Sequence, residues 1–178
     1  METEGTFCIT HAEEDSAVLK NVESGQVHTL SENPGVETGD VLTGTITTEP
    51  PLDVTWTLIS VDERRSITLE QSDELPTTRE RTLASQQEVG DITREERAGD
   101  GEIHVITVPH EDEDTSDESS TNEASEQNEN EEMNKIDQII QDVLDDDATL
   151  VRAARLGATR VEVRSDADTG VVSVRYLP

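Results

Sequence analysis

Residues 110–134 read HEDEDTSDESSTNEASEQNENEEMN, and the chain on either side has to be understood as what this stretch separates. It holds eleven Asp or Glu, no Lys or Arg, and one apolar residue larger than alanine, Met133. Ordering a backbone costs roughly 1–2 kcal/mol per residue, and a segment this poor in apolar surface has little to bury in return. Residues 110–134 are therefore expected to form a disordered acidic linker.

The remaining 153 residues of the 178 suffice for one compact domain or two small ones, and the periodicity favours two. Net charge is -29, and taking away the eleven acids of the stretch still leaves -18. The acidic surplus is thus chain-wide. Eleven arginines stand against two lysines, Lys20 and Lys135, and the aromatic residues are Phe7, Trp56 and Tyr176. Such a surface repels itself at low salt, whereas at molar salt the screening length falls to about 3 Å. A halophilic cytoplasm is the expected setting. One cysteine, Cys8, excludes an internal disulfide and fits a reducing compartment. The start, METEGTF, has no signal-peptide pattern, and no run of eighteen apolar residues provides a membrane span.

Residues 5–71 are β-rich and punctuated by turns. Phe7 and Ile9 alternate with Thr6, Cys8 and Thr10, short apolar runs follow near Val18 and Leu30, and Asn33-Pro34-Gly35 has the chemistry of a type II turn. Val41 opens another strand; Val54, Trp56 and Leu58 share a face of the next, and Glu63-Arg64 is expected to turn the chain into a sixth. Six short strands at this spacing predict a small β-barrel-like domain over residues 1–72, similar in pattern to OB, SH3-like or TRAM barrels.

Residues 75–90 predict a helix, with Thr77 and Glu80 at capping-box spacing and Gly90 as its terminator. Strands over 92–97 and 102–108 flank Ala98-Gly99-Asp100-Gly101 as a hairpin. Ile103, Val105, Ile106 and Val108 put apolar groups on both faces of the second, which marks it as an interior strand. Beyond the acidic stretch, Ile136, Ile139, Ile140, Val143 and Leu144 recur at helical spacing. Asp145 to Asp147 then break that helix and cap another over 148–156, ended by Gly157. Residues 159–165 and 172–176 alternate as a hairpin with one apolar and one polar face. An isolated two-stranded hairpin is marginal in water, and the strand over 102–108 supplies a partner. The expected fold class is therefore α+β, residues 75–109 with 135–178 forming a two-layer α+β domain interrupted by the acidic linker.

The stretches GTFCITH, QVHTLSENPG, VTWTLISVDERRSI, REERAGDGEIHVITVP, LVRAARLGATRVEVR and VVSVRYLP are similar to an uncharacterised family of small acidic proteins of halophilic archaea, known only as a domain of unknown function. The resemblance covers nearly the whole chain apart from the acidic stretch. It implies life in concentrated salt and assigns no catalytic residue, cofactor or partner.

Cys8 and His11 form a C-x-x-H, with His28 in the same unit. On a strand, positions i and i+3 face opposite ways, and no second cysteine completes a tetrad; a buried Cys8 with solvent-facing histidines is expected, and no metal site. Asp166-Ala167-Asp168-Thr169-Gly170 resembles the start of a calcium loop but lacks its later ligands, so a hairpin turn is expected. Glycine-rich phosphate loops, nucleophile elbows and His-Glu zinc motifs are absent, which argues against an enzyme and against a cofactor.

The distinctive cluster is C-terminal. Residues 151–178 carry Arg152, Arg155, Arg160, Arg164 and Arg175 against Glu162, Asp166 and Asp168, a local +2. One reading is a solvated sheet face with Glu162 paired between Arg160 and Arg164; the other is an interaction face. Salt decides what such a face can hold: a rise of about twentyfold removes on the order of six decades of affinity from a site with about five phosphate contacts. Stacking would have to compensate, and three scattered aromatics form no platform. The expected function is a non-enzymatic protein-interaction module with an unknown protein partner, the alternative being RNA binding through the N-terminal barrel.

Overall fold

The computed structural model describes residues 1–97, 99–109 and 125–178. In chain order the elements are β1 (Glu2–Ala12), β2 (Ala17–Asn21), β3 (Val27–Leu30), β4 (Asp40–Thr48), β5 (Trp56–Ser66), β6 (Thr68–Gln71), α1 (Thr78–Ser85), β7 (Ile92–Glu96), β8 (Glu102–Thr107), α2 (Ser125–Asp145), α3 (Asp147–Leu156), β9 (Arg160–Asp166) and β10 (Val171–Leu177). They fall into two compact units: Met1–Thr68 with Asp146–Val161, and Leu69–Asp145 with Glu162–Leu177.

In the first unit five strands close into a ring in the order β1-β2-β3-β5-β4. Antiparallel pairing of β1 with β4, from Glu2 opposite Thr47 to Cys8 opposite Val41, completes one side. The parallel contact of β3 with β5 at Leu30 opposite Trp56 completes the other. Alternation sends Phe7, Ile9, Leu19, Leu30, Leu42 and Ile46 inward, with Trp56 and Leu58 packed against them. Gly44 is required where β4 and β5 approach most closely, since a Cβ there would lie 2.1 Å from the Ser60 carbonyl oxygen.

Three sequence expectations are corrected in this unit. Strand β5 runs unbroken to Ser66 instead of turning at Glu63, because its residues 63–66 continue the ladder with Asp40 to Thr43 of β4. The expected sixth strand, β6, joins the other sheet. Helix α3 also belongs to this unit and not to the α+β part. Its N-cap Asp146 accepts from the Ala148 N–H, and Gly157 ends it at φ 71°, as the residue types dictate. Arg65 on β5 donates to the carbonyls of Ala154 (2.8 Å) and Ala158 (2.6 Å), tying β5 to the C-terminal end of the helix and the residues just past it.

The second sheet has the order β6-β9-β10-β8-β7. Strand β8 is interior, as its two-faced apolar pattern predicts, and β10 pairs with it from Val171 opposite Thr107 to Tyr176 opposite Glu102. The sheet is thus assembled from chain on both sides of residues 110–134. Helix α1 has the predicted capping box, Thr77 with Glu80, but ends at Ser85; Gly90 lies beyond it and donates to the Thr107 carbonyl. Ala84 of α1 is buried with Val105 and Val171, flanked by Leu83 and Ile103. Helix α2 buries Ile136 and Ile140 as the spacing requires. It starts at Ser125, ten residues before the expected boundary, since glutamate and glutamine favour helix and can extend an amphipathic segment. Of the acidic linker expected to be disordered over residues 110–134, residues 110–124 lie outside the described residues, and 125–134 are the first turns of α2.

Candidate functional site

The five arginines are divided between the two units. Arg152 and Arg155 sit on α3 in the first unit, where Arg155 donates through Nε and Nη2 to the Val22 carbonyl at 3.1 and 2.9 Å. Arg160 is exposed at the start of β9. Arg164 and Arg175 belong to the second unit, and there the expectation of a solvated polar face is corrected. The face of β9 and β10 that carries Glu162, Arg164, Ser173 and Arg175 meets α1 through Glu80, so these side chains are withdrawn from water.

What lies between α1 and the sheet is a layer of paired charge. The Glu80 carboxylate, 2% exposed, accepts from the Thr77 backbone N–H and from the Ser173 hydroxyl at 2.9 Å. Arg175 stands between two carboxylates, its Nε 3.6 Å from Glu80 and its Nη1 3.9 Å from Glu162. Glu162 also accepts from Arg164 Nε, and Arg164 Nη2 reaches Glu74 at 2.5 Å. Farther along α1, Arg81 lies 3.8 Å from Asp166. Sequence reading identified three members of this layer, Glu162, Arg164 and Arg175. It missed Glu80, whose capping-box role gave no hint that its side chain also reaches the sheet.

A cleft of about 220 Å³ opens beside this layer. Thr77, Arg79, Glu80 and Leu83 line it from α1, and Glu95, Glu96, Arg97, Ile103 and Arg175 from the sheet and its loop. Arg79 pairs with Glu95 at 2.7 Å, and Arg97 donates to the Asp100 carbonyl at 2.9 Å.

The first unit has a different candidate surface. The β4–β5 connection, residues 49–55, exposes Leu52 (76%) and Val54 (69%), and the start of β3 exposes Val27 (61%). In the same unit the β1–β2 turn carries Glu13, Glu14 and Asp15 in exposed positions. Val54 does not share an inward face with Trp56 and Leu58, because the extended strand begins only at Trp56. Glu49 anchors the connection by accepting from the hydroxyls of Thr55 (2.8 Å) and Thr57 (2.6 Å), and these bonds, the Thr57 hydroxyl's foremost, hold its carboxyl below the ordinary carboxylate value.

The residues that suggested a metal site are separated by environment. Cys8 is buried, and desolvation pushes its thiol up to about 11, with Arg65 opposing and Asp147 reinforcing. His11 is exposed and hydrogen-bonds Glu13 at 3.1 Å. His28 is not solvent-facing, contrary to expectation: it is 5% exposed, with the Phe7 and Trp56 rings edge-on at 5.9 and 4.5 Å. Alternation explains the difference, since His28 and Leu30 occupy the inward positions of β3. No group of three or more metal-ligating side chains occurs among the described residues. Residues 167–170 form the turn between β9 and β10, with the Asp168 N–H donating to Asp166 Oδ1 at 3.1 Å. No described helix is long and apolar enough to cross a membrane.

Comparison with known proteins gives a family and nothing further. No curated protein and no solved structure matches the chain. Residues 3–130 and 128–165 match the family of unknown function DUF5812, which spans the ring, the helices and most of the second sheet. The chain therefore belongs to that family of unknown function, DUF5812.

Proposed function

We propose that the protein is a non-enzymatic protein-interaction module, docking its partner through the aliphatic rim of the five-stranded ring. The exposure of Val27, Leu52 and Val54 carries this reading. In a chain of net charge -29, aliphatic groups this exposed, Leu52 and Val54 above all, with Val27, Ile59 and Val61 in the same unit, are a feature that burial in a complex explains. Arg155, Arg164 and Arg175, which the sequence offered as an interaction face, are engaged internally. Aliphatic burial also tolerates salt, which suits our reading of the acidic surface as an adaptation to a salt-rich cytoplasm.

The strand order supports the same surface. A five-stranded ring in the order β1-β2-β3-β5-β4, with β3 parallel to β5, supports reading this unit as an OB-like barrel. Barrels of that class seat ligands on strands 2 and 3 and on the loops joining strands 1 to 2 and 4 to 5. Here Val27 lies on that third strand, and Leu52 and Val54 lie in the fourth-to-fifth loop.

RNA binding is the second reading, favoured by the same connectivity. Against it, the first-to-second loop carries Glu13, Glu14 and Asp15, which repel phosphate, and Phe7 and Trp56 pack with the core instead of offering a stacking platform. Pull-downs in molar KCl, with and without ribonuclease, compare the native chain with the triple variant Val27→Asp, Leu52→Asp, Val54→Asp. Loss of protein partners from a variant with native circular dichroism supports docking at the rim. An unchanged partner list refutes it, and recovery that depends on intact RNA gives the second reading.

A further inference from the structure

We propose that docking at the rim is gated by pH: protonation of His28 opens the seam between β3 and β5 and releases the partner. This rests on the rim as the docking surface and adds a regulator to it.

The seam is the ring's shortest ladder. Strands β1 and β4 pair from Glu2 to Cys8, and β4 follows β5 from Trp56 to Ser66, whereas β3 meets β5 at one register pair, Leu30 opposite Trp56. Around that pair the Ser31 N–H donates to the Trp56 carbonyl at 3.2 Å, and the Glu49 carboxylate accepts from the hydroxyls of Thr57, Ser31 and Thr55. The rim grows out of the same place. Val27 precedes His28 on β3, and Leu52 and Val54 lie in the connection that enters β5 at Trp56.

His28 is buried against this seam, its ring centroid 4.5 Å from that of Trp56. The elements packed on it present Phe7 from β1, Leu19 from β2 and Trp56 from β5, and neither ring nitrogen has a partner among the described residues. Lys20, opposite Val27, takes the outer face by alternation, and the flanking acids Glu32 and Asp53 are exposed. Burial is what lowers the pKa of His28, with no charged side chain contributing among the described residues. Protonated, the ring has two N–H donors and meets no acceptor, since phenyl offers none and indole only donates. A charge so placed is costly, and parting β3 from Trp56 returns it to water. Each unit by which the closed ring lowers the pKa raises the open population about tenfold at acid pH. Glu49 does not act as the gate: the Thr57 hydroxyl foremost holds it below the ordinary carboxylate value, so it stays ionised while His28 titrates. By linkage, a partner that binds the closed ring lowers the His28 pKa further.

Trp56 is the chain's one tryptophan, so its emission reports the seam directly. In the full chain in molar KCl, acidification from about pH 7.5 to about 5.5 should red-shift that emission and speed exchange of the Ser31 amide, with a midpoint below 6.5 and native circular dichroism. His28→Leu should hold both signals constant; His28→Gln, neutral at every pH, is the second variant should the first fail to fold. Partners recovered at the higher pH should be lost at the lower from the native chain and kept by the variant. Signals that do not move, or that move alike in the variants, overturn the proposal. So does a seam that opens and keeps its partners. The seam signals need no partner, so failure of the rim reading is seen separately, as partners kept at the higher pH by the Val27→Asp, Leu52→Asp, Val54→Asp variant.

Discussion

His28 and Asp40 show how the ring handles polar groups it cannot expose. Burial between Phe7 and Trp56 lowers the pKa of His28 below its ordinary 6.5, and neither ring nitrogen has a partner among the described residues. The unfolded chain therefore takes up the proton first as pH falls. Stability from this residue is whole above about pH 6.5 and declines below it, a limb that His28→Leu should flatten in urea-unfolding midpoints from pH 8 to 5. Asp40 works in the opposite sense. Burial alone would raise its pKa, but the Glu37 N–H, the Ser66 hydroxyl and the Arg64 guanidinium together hold it below the ordinary carboxylate value. Its contribution is present above about pH 4 and is lost as pH falls through the lowered value. Asp40→Asn should cost about 1–3 kcal/mol at neutral pH, measured by denaturant unfolding, and a neutral result would mean that the three donors find other acceptors.

At the scale of elements, α1 is held to its sheet as much by charge as by packing. Of its residues only Glu80 and Ala84 are buried, a small apolar contribution for a helix of eight residues. Glu80→Ala should therefore destabilise by about 3–5 kcal/mol, because Arg175 and Ser173 lose their partner in a buried place. Adding Arg175→Met should recover part of that loss in a double-mutant cycle; a double variant as unstable as the sum would mean the two residues act separately. This layer marks the limit of what the sequence discloses. Capping signals read locally and correctly: Thr77 with Glu80, Asp146 before α3, and Gly157 after it. Alternation in β9 and β10 also located two sheet faces, since period two is a property of the strand itself. Which face meets water is not a local property. Glu162 and Arg175 look like solvent-facing residues until α1 covers them, and a buried pair of opposite charges has the same sequence pattern as an exposed one. The aliphatic rim was hidden for the opposite reason: Val54 continues the alternation of Trp56 and Leu58, and only the strand boundary at Trp56 reveals that it is exposed.

Across the whole molecule, the chain order and the folded units do not coincide. The ring of residues 1–68 shares its unit with α3, and the second sheet draws on chain from before residue 110 and after residue 159. A fragment of residues 1–72 lacks the helix to which Arg65 is tied through the Ala154 and Ala158 carbonyls, so it should melt less cooperatively than the intact first unit, and a peptide of residues 146–161 added in trans should restore the transition. Identical melts with and without the peptide would show that α3 is dispensable. For function, the decisive distinction is between the aliphatic rim and the arginine-bearing strands. Hydrogen–deuterium exchange on the chain bound to its recovered partner separates them. Docking at the rim predicts new protection over residues 27–30 and 49–55 with little change over 160–177; protection confined to 160–177 would contradict it.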